Sequence, residues 1–451
     1  MSKGFQKDLS QGSIVKNLTL FALPFLVSNI VQTCYNVADM LIVGNFSGTI
    51  SMSGVNIGGQ VTLILTNFIM GLCTGGTVMI AQYLGSKRQK DMETTISTLM
   101  TMLLIGAAAI TALMLVLKNP LLRAIRTPSE AFSEADRYLT VTVSGIIFIF
   151  LYNALSAIMR GMGDSKRPLY FVLISCIANV ALDLLLVARF NMGAVGAAAA
   201  TVASQALSVV LCIAYMKRNG FPFDFRPSSF RIHETYCLRI CKIGLPAAIQ
   251  NGVVSLSFLF ITMLVNSMGG VDASAAVGVV SKVNGFAILP AVALSSSIST
   301  MAAQCIGAGL WNRAKKTCWI GMAMAMALSA AVFALVQAFP EPILRLFDRT
   351  NPEMIRRGAE YFSTFSFDYL LVPICFCLNG LFIASGHTTF SLVNSAMSSL
   401  LLRVPASYIF GRLLSLGIRG IGMGAPIATA GSVIAVLLFY ASGRWRANTV
   451  A

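Results

Sequence analysis

The chain has 451 residues, of which 56% are hydrophobic and only 11% charged, with a formal net charge of +16. Soluble proteins carry about 25% charged residues, so a water-soluble enzyme or binding module is excluded and a polytopic membrane protein is predicted. The excess of Lys and Arg does not mark a nucleic-acid surface, because it is scattered over short loops between apolar runs, as in cytoplasmic loops facing anionic lipid.

The N-terminal stretch MSKGFQKDLSQGSIVKN is polar and lacks a cleavage-like site behind a short apolar core, so no signal peptide is expected. Runs long enough to cross about 30 Å of hydrocarbon then follow at 17–43, 53–82, 93–117, 138–160, 168–188, 192–216, 240–266, 275–305, 317–339, 361–384, 389–411 and 419–442. They predict an all-α fold of twelve transmembrane helices. With a cytoplasmic N-terminus, 20 of the 33 Lys and Arg fall on the inner side, 11 on the outer side and two within spans. The positive-inside rule therefore places both termini in the cytoplasm, in a plasma membrane.

The ten cysteines do not suggest a disulfide framework. Eight lie in apolar runs, where Cys acts as a small hydrophobe. Cys237 and Cys241 are one helical turn apart at a loop end, but with two histidines in the whole chain they are read as no metal site.

The halves of the chain resemble each other. FALPFLV at 21–27 answers IGLPAAI at 243–249, and IAQYLGSKRQ at 80–89 answers AAQCIGAGLW at 302–311, both at an offset of 222. SAIMRGMGD, ending at 164, answers NGLFIASGH, ending at 387, at an offset of 223, and GAVG at 193–196 answers GIRG at 417–420 at 224. An even number of spans per repeat makes both halves enter the membrane in one direction. The predicted architecture is two six-helix bundles related by a pseudo-twofold along the membrane normal: an N-lobe over 1–216, a cytoplasmic linker over 217–239 and a C-lobe over 240–451. Such a layout points to a transporter.

Acids inside spans mark where it works, because an intramembrane charge is costly. Asp39, Asp183 and Asp368 are such acids, and the positions answering the first two are Ile261 and Ala406, so the repeat copies the scaffold without these charges. Asn179 lies one turn before Asp183 on the same helix face, and Ala197 and Thr201 are likewise i and i+4 in the sixth span. Asp39, Asn179, Asp183 and Thr201 can converge at one depth in the outer half of the N-lobe. Two carboxylates, an amide oxygen, a hydroxyl and a backbone carbonyl make an all-oxygen set suited to Na⁺ or a proton, and close carboxylates disfavour joint ionisation.

The twelve-span layout, the LP openings of the first and seventh spans, YNVADMLIVG, the paired AQ…G ends, AIMRGMGD and GAVGAAAATV together resemble the multidrug and toxin extrusion (MATE) transporters over nearly the whole chain. The resemblance implies a V-shaped pair of bundles that exports amphipathic, often cationic compounds in exchange for Na⁺ or H⁺. In the branch whose ion site lies in the N-lobe, the site residues fall on Asp39, Asn179, Asp183, Ala197 (through its carbonyl) and Thr201; of these Asp39, Asn179, Asp183 and Thr201 would hold the metal ion if it is Na⁺. Another branch carries a glutamate about ten residues after the GLP of the seventh span. Here that stretch is GLPAAIQNGVVSLSF, with no acid, which favours the N-lobe mechanism.

Gln32, Asn36, Asn153, Gln250 and Asn251 are polar in mid-span and are the candidate substrate-cleft residues. Asp368, Lys282 and Arg403 are C-lobe intramembrane charges, and Asp368 is expected to pair with one of the two bases. RGMGDSKRP at 160–168 lacks the spacing of a phosphate-binding loop, and no hydrolase motif is present, so an enzyme is not expected. The function expected is a secondary active antiporter for lipophilic cations, working as a monomer in the lipid bilayer, with Na⁺ or H⁺ as coupling ion and no cofactor. The alternative is a lipid-linked precursor flippase of the same superfamily, which would call for a basic cavity.

Overall fold

The computed structural model describes residues 6–347, 349 and 351–447, and these are helical with no strand. In lipid every backbone N–H and C=O must be satisfied within its own segment, so apolar runs of this length fold as helices. The order is α1 (Ile14–Gly85), α2 (Gln89–Ala124), α3 (Ser129–Ser144), α4 (Ile146–Gly161), α5 (Lys166–Asp183) with a π-helical extension Leu184–Arg189, and α6 (Gly193–Arg218). After a loop come α7 (Glu234–Ala287), α8 (Leu289–Gly307), α9 (Trp311–Ala338), α10 (Pro340–Arg345), α11 (Pro352–Phe365) and α12 (Asp368–Ala384). The chain then runs through α13 (Thr388–Ala396), α14 (Val404–Tyr408) and α15 (Gly417–Ala441), with π-helical turns Met397–Arg403 and Ile409–Leu413 around α14.

Among the described residues, eight helices are long and apolar enough to cross a membrane, and ten spans result if each of two bent pairs counts as one. Dividing α1 at its break at Gly48 and adding the π-interrupted rod over 388–413 brings the rods to the twelve expected. The bent pairs are α3 with α4, at 50°, and α11 with α12, at 49°. Hydropathy under-reads the fourth and tenth spans because their first halves, beginning SEAFSEADRY and PEMIRRGAEY, are polar on one face.

The repeat is written into the backbone. Gly48 (φ 79°) and Gly270 (φ 66°) break α1 and α7 at an offset of 222. Gly163 and Gly386 follow at φ 88° and 90°, Asn191 and Ser415 at 52° and 54°, Gly193 and Gly417 at 55° and 59°, and Gly220 and Gly443 at 68° and 71°. Left-handed positions outside glycine are uncommon, so matching pairs down both halves are strong evidence of one repeated design.

The chain packs as two compact units. The first holds the chain up to Asp8 and Leu23–Ala248; the second holds Leu9–Ala22 and Ile249–Ala451. The start of the chain is tied into the second unit: the Leu9 N–H donates to Gln304 Oε1 at 2.9 Å, and the Arg313 guanidinium donates to the Gly12 carbonyl at 2.8 Å. The segment between α6 and α7 is held against α2 in the first unit. The Ser97 hydroxyl donates to the Ser229 carbonyl at 2.6 Å and accepts from the Arg231 N–H at 3.0 Å.

Candidate functional site

The first unit brings three helices to one point. α1 supplies Asp39, α5 supplies Asn179 and Asp183 in its last two turns, and α6 supplies Ala197 and Thr201. The π-helical turn starts directly after Asp183. Wide turns of this kind are rare and often mark functional positions. Asp183 and Asn179 are fully buried, and Asp39 retains 7% exposure.

The two carboxyl groups meet at hydrogen-bonding range. Neither Asp183 oxygen, nor Asp39 Oδ1, receives an N–H or O–H from any other described group, and both side-chain polar atoms of Asn179 are likewise without a partner. A buried polar group left in this state costs about 1–3 kcal/mol, and a charged one more. Two carboxylates so placed are stable only when they share a proton or hold a cation between them. Beside Asn179 is a chamber of about 10 Å³ lined also by Gln32, Tyr35 and Gln205, room for about one water-sized occupant.

Tyr138, from α3, closes the site in a cluster with Val43, Val55, Val187, Ala194, Ala197 and Ala198. Its position depends on Gly58, where an added Cβ would come within 2.5 Å of Tyr138 Cδ1. Tyr35 and Tyr138 both lie within electrostatic range of both acids. Neither tyrosine stands out in the sequence, because an aromatic in an apolar helix looks like packing.

A cavity of about 530 Å³ runs from this point through the first unit, and that volume suits a drug-sized ligand. Asp39 and Thr201 line it at one end, with Gln32, Asn36 and Asn153 along its wall. Gln250 and Asn251 belong to the second unit and do not line it. Gln250 Nε2 donates to Ser395 Oγ at 2.8 Å, tying α7 to α13, while Asn251 is exposed.

One further residue of the cavity carries a charge. Arg160 ends the span expected at 138–160, α4 continues through it to Gly161, and its side chain lines the cavity. Hydropathy hides it because a single arginine ends an otherwise apolar run.

In the second unit, Asp368 is buried near Thr429, and its Oδ1 has no hydrogen-bond partner. Arg403 is within electrostatic range, yet its guanidinium lies over the Phe258 ring at 4.1 Å, and no contact ion pair joins Asp368 to a base among the described residues. Stacking on an aromatic face satisfies Arg403 by another route than the expected pair. Lys282 is exposed.

The MatE family model matches residues 24–185 and 246–409. The chain is 30% identical over 441 residues to the probable multidrug resistance protein YpnP of Bacillus subtilis, covering 98% of each chain. It is 26% identical over 445 residues to the probable multidrug resistance protein NorM of Thermotoga maritima, covering 97% of this chain and 94% of that one. An outward-facing structure of a multidrug resistance MATE family transporter superposes with a TM-score of 0.91 at 22% identity, over 100% of this chain and 99% of that one. A MATE structure in a bent conformation superposes at 0.89 and 23% identity, over 98% and 97%. With the family model spanning both halves and a relative at this identity over almost its full length, the chain belongs to the MATE family of multidrug efflux transporters.

Proposed function

We propose that the chain is a secondary active antiporter that exports amphipathic, mostly cationic compounds in exchange for H⁺ or Na⁺ by alternating access. It would act as a monomer in the plasma membrane with both termini cytoplasmic. The observation that carries this reading is the contact between the Asp39 and Asp183 carboxyls, with no donor to Asp39 Oδ1 or to either Asp183 oxygen among the described residues. A buried pair of this kind is suited to taking up and releasing a cation. Asn179, Thr201 and the Ala197 carbonyl are the oxygen donors that would complete a Na⁺ shell.

Coupling follows from shared structure. Asp39 sits on the same helix as Gln32 and Asn36, which face the cavity, so whatever loads the acidic pair acts on the helix that forms the substrate wall. A cationic substrate gains from an ionised pair and loses when that pair is neutralised. Proton or Na⁺ binding then drives substrate release, and by linkage the substrate lowers ion affinity by the same factor.

The test is efflux of a fluorescent lipophilic cation from proteoliposomes, with Na⁺ and pH gradients imposed separately. The wild type should respond to at least one gradient. Asp183→Asn, which keeps shape and removes charge, should abolish the response at equal insertion. Wild-type efflux by that variant would overturn the assignment.

A further inference from the structure

A pocket of about 830 Å³ opens in the second unit, where the start of α1 meets the start of α9. Ile14 and Val15 bring the first turn of α1 to its wall, and Trp311, Arg313 and Lys316 line it from α9. Neither first turn carries an acid, and no acid lines the pocket. Among the described residues Arg313 and Lys316 enter no ion pair. Arg313 Nη2 donates to the Gly12 carbonyl at 2.8 Å, while its Nε, shielded from solvent, donates to no described group. The repeat shows that the backbone does not demand this excess of cations. At the offset of 222, Arg313 answers to Asp91 and Lys315 to Glu93, at the start of α2. There Asp91 pairs with Arg88 at 2.6 Å and accepts from the Tyr236 hydroxyl of α7, so the first unit sets an acid against its base. The second unit leaves its cations bare.

The chain's three tryptophans all stand at this end. Trp311 meets Trp445 at 6.0 Å between ring centroids, Trp445 stacks on Tyr440 at 5.5 Å, and the Tyr440 hydroxyl accepts from Trp319 Nε1 at 2.9 Å. A row of Trp and Tyr marks the headgroup level of a bilayer, and basic pockets at that level hold anionic headgroups. We propose that this pocket binds the phosphate headgroup of an anionic phospholipid, in the leaflet on the side of the chain's N-terminus. Arg313 and Lys316 take the phosphate oxygens. Val15 and Leu310, exposed on the pocket wall, give apolar surface to an acyl chain, which a free phosphate would leave uncovered. A zwitterionic lipid brings an ammonium for which the pocket has no acid. The pocket shares no residue with the cavity of the first unit or with the acidic pair, so the lipid site is independent of the antiport reading.

The experiment uses the full-length chain in phosphatidylcholine nanodiscs and reads its tryptophan fluorescence, which reports on this end alone because all three tryptophans lie there. Phosphatidylglycerol and phosphatidylcholine with brominated acyl chains, which quench a nearby indole, are added at equal mole fractions. Phosphatidylglycerol should be preferred by about tenfold or more, the scale of a charge-assisted hydrogen bond. Lys316→Gln should cut that preference, and Arg313→Gln with Lys316→Gln should abolish it. Arg444→Gln removes an exposed cation of the same end that does not line the pocket, and should leave the preference unchanged. Equal loss in Arg444→Gln and Lys316→Gln makes the preference a property of diffuse surface charge and overturns the proposal. A wild type that does not distinguish the two lipids overturns it as well, whether or not the variants fold. Inorganic phosphate in excess should leave the preference intact; if it abolishes the preference, the pocket is a site for soluble phosphate and the lipid assignment fails.

Discussion

Where the first unit holds Asp39, Asp183, Ala197 and Thr201 around Tyr138, the second holds Ile261, Ala406, Ile421 and Ala425 around Tyr361. Ile261, Tyr361, Ile421 and Ala425 belong to one buried apolar cluster, and Ala406 is buried as well. The same backbone positions thus make a polar site in one copy and a hydrophobic core in the other. The fold does not require the acids, since its second copy is built without them. Side chains that the scaffold can replace by Ile and Ala, and that sit with unpaired oxygens, are explained by what they bind. The asymmetry also runs the other way: at the offset of 223 Asp368 answers to Gly145, so the first unit has no acid there. But Asp368 has an arginine within electrostatic range, whereas the acid nearest each of Asp39 and Asp183 is the other.

The comparison can be broken by exchanging the two patterns. Ile261→Asp puts a lone carboxylate in the apolar cluster of the second unit, where an uncompensated buried charge costs about 3–5 kcal/mol. A large fall in the melting temperature in detergent is expected. The reverse exchange, Asp39→Ile with Asp183→Ala, should leave stability equal or higher, because replacing a buried polar pair by apolar residues is often neutral or stabilising, while ion-driven efflux vanishes. A double variant that unfolds would show the acids to be structural. A gentler probe follows from linkage. The Kd of a fluorescent cation should rise as pH falls or as Na⁺ rises, because a neutralised pair attracts it less. The span should be about 5- to 150-fold, the usual range for coupled sites. That dependence should disappear in Asp39→Asn and survive in Asp368→Asn. If Asp368→Asn abolishes it and Asp39→Asn does not, the working site is in the second unit.

Much of this was legible from residue order. Spans follow from hydropathy, because lipid leaves helices as the answer, and the 222–224 offset follows from repeated short motifs. Asp39, Asn179 and Asp183 could be named because charge and amide groups are conspicuous in apolar runs. Tyr35, Tyr138 and Gln205 could not, since their role depends on which face of each helix turns inward. Arg160 could not be named as a cavity residue for a related reason: at the end of the 138–160 span it looks like the charged edge of a helix, and only the packing of the helices turns it to the cavity. The polar first halves of the fourth and tenth spans were lost because their apolar stripe is narrower than a hydropathy window detects.

The smallest effects test whether the shared punctuation is set by the backbone alone. Gly48 has φ 79° and ψ 179°, and Gly270 has φ 66° and ψ −161°, a region that glycine adopts freely and other residues do not. No atom lies within 4 Å of where a Cβ would stand at either glycine, so a substitution there meets no neighbour and measures backbone cost only. Gly48→Ala and Gly270→Ala should each destabilise the chain by about 1–3 kcal/mol, and the two losses should add, because sites without shared partners are independent. Gly106 is the control: it is also without neighbours within 4 Å but lies inside α2 with no positive φ. Gly106→Ala should therefore stabilise, by about 0.4–1 kcal/mol, through the reduced freedom of the unfolded chain. Thermal unfolding of the three single variants in one detergent checks the set. Equal losses at Gly48 and Gly270 place the repeated break in the backbone itself. A loss confined to Gly48 would mean that the break beside the acidic site is held by something the second unit does not share.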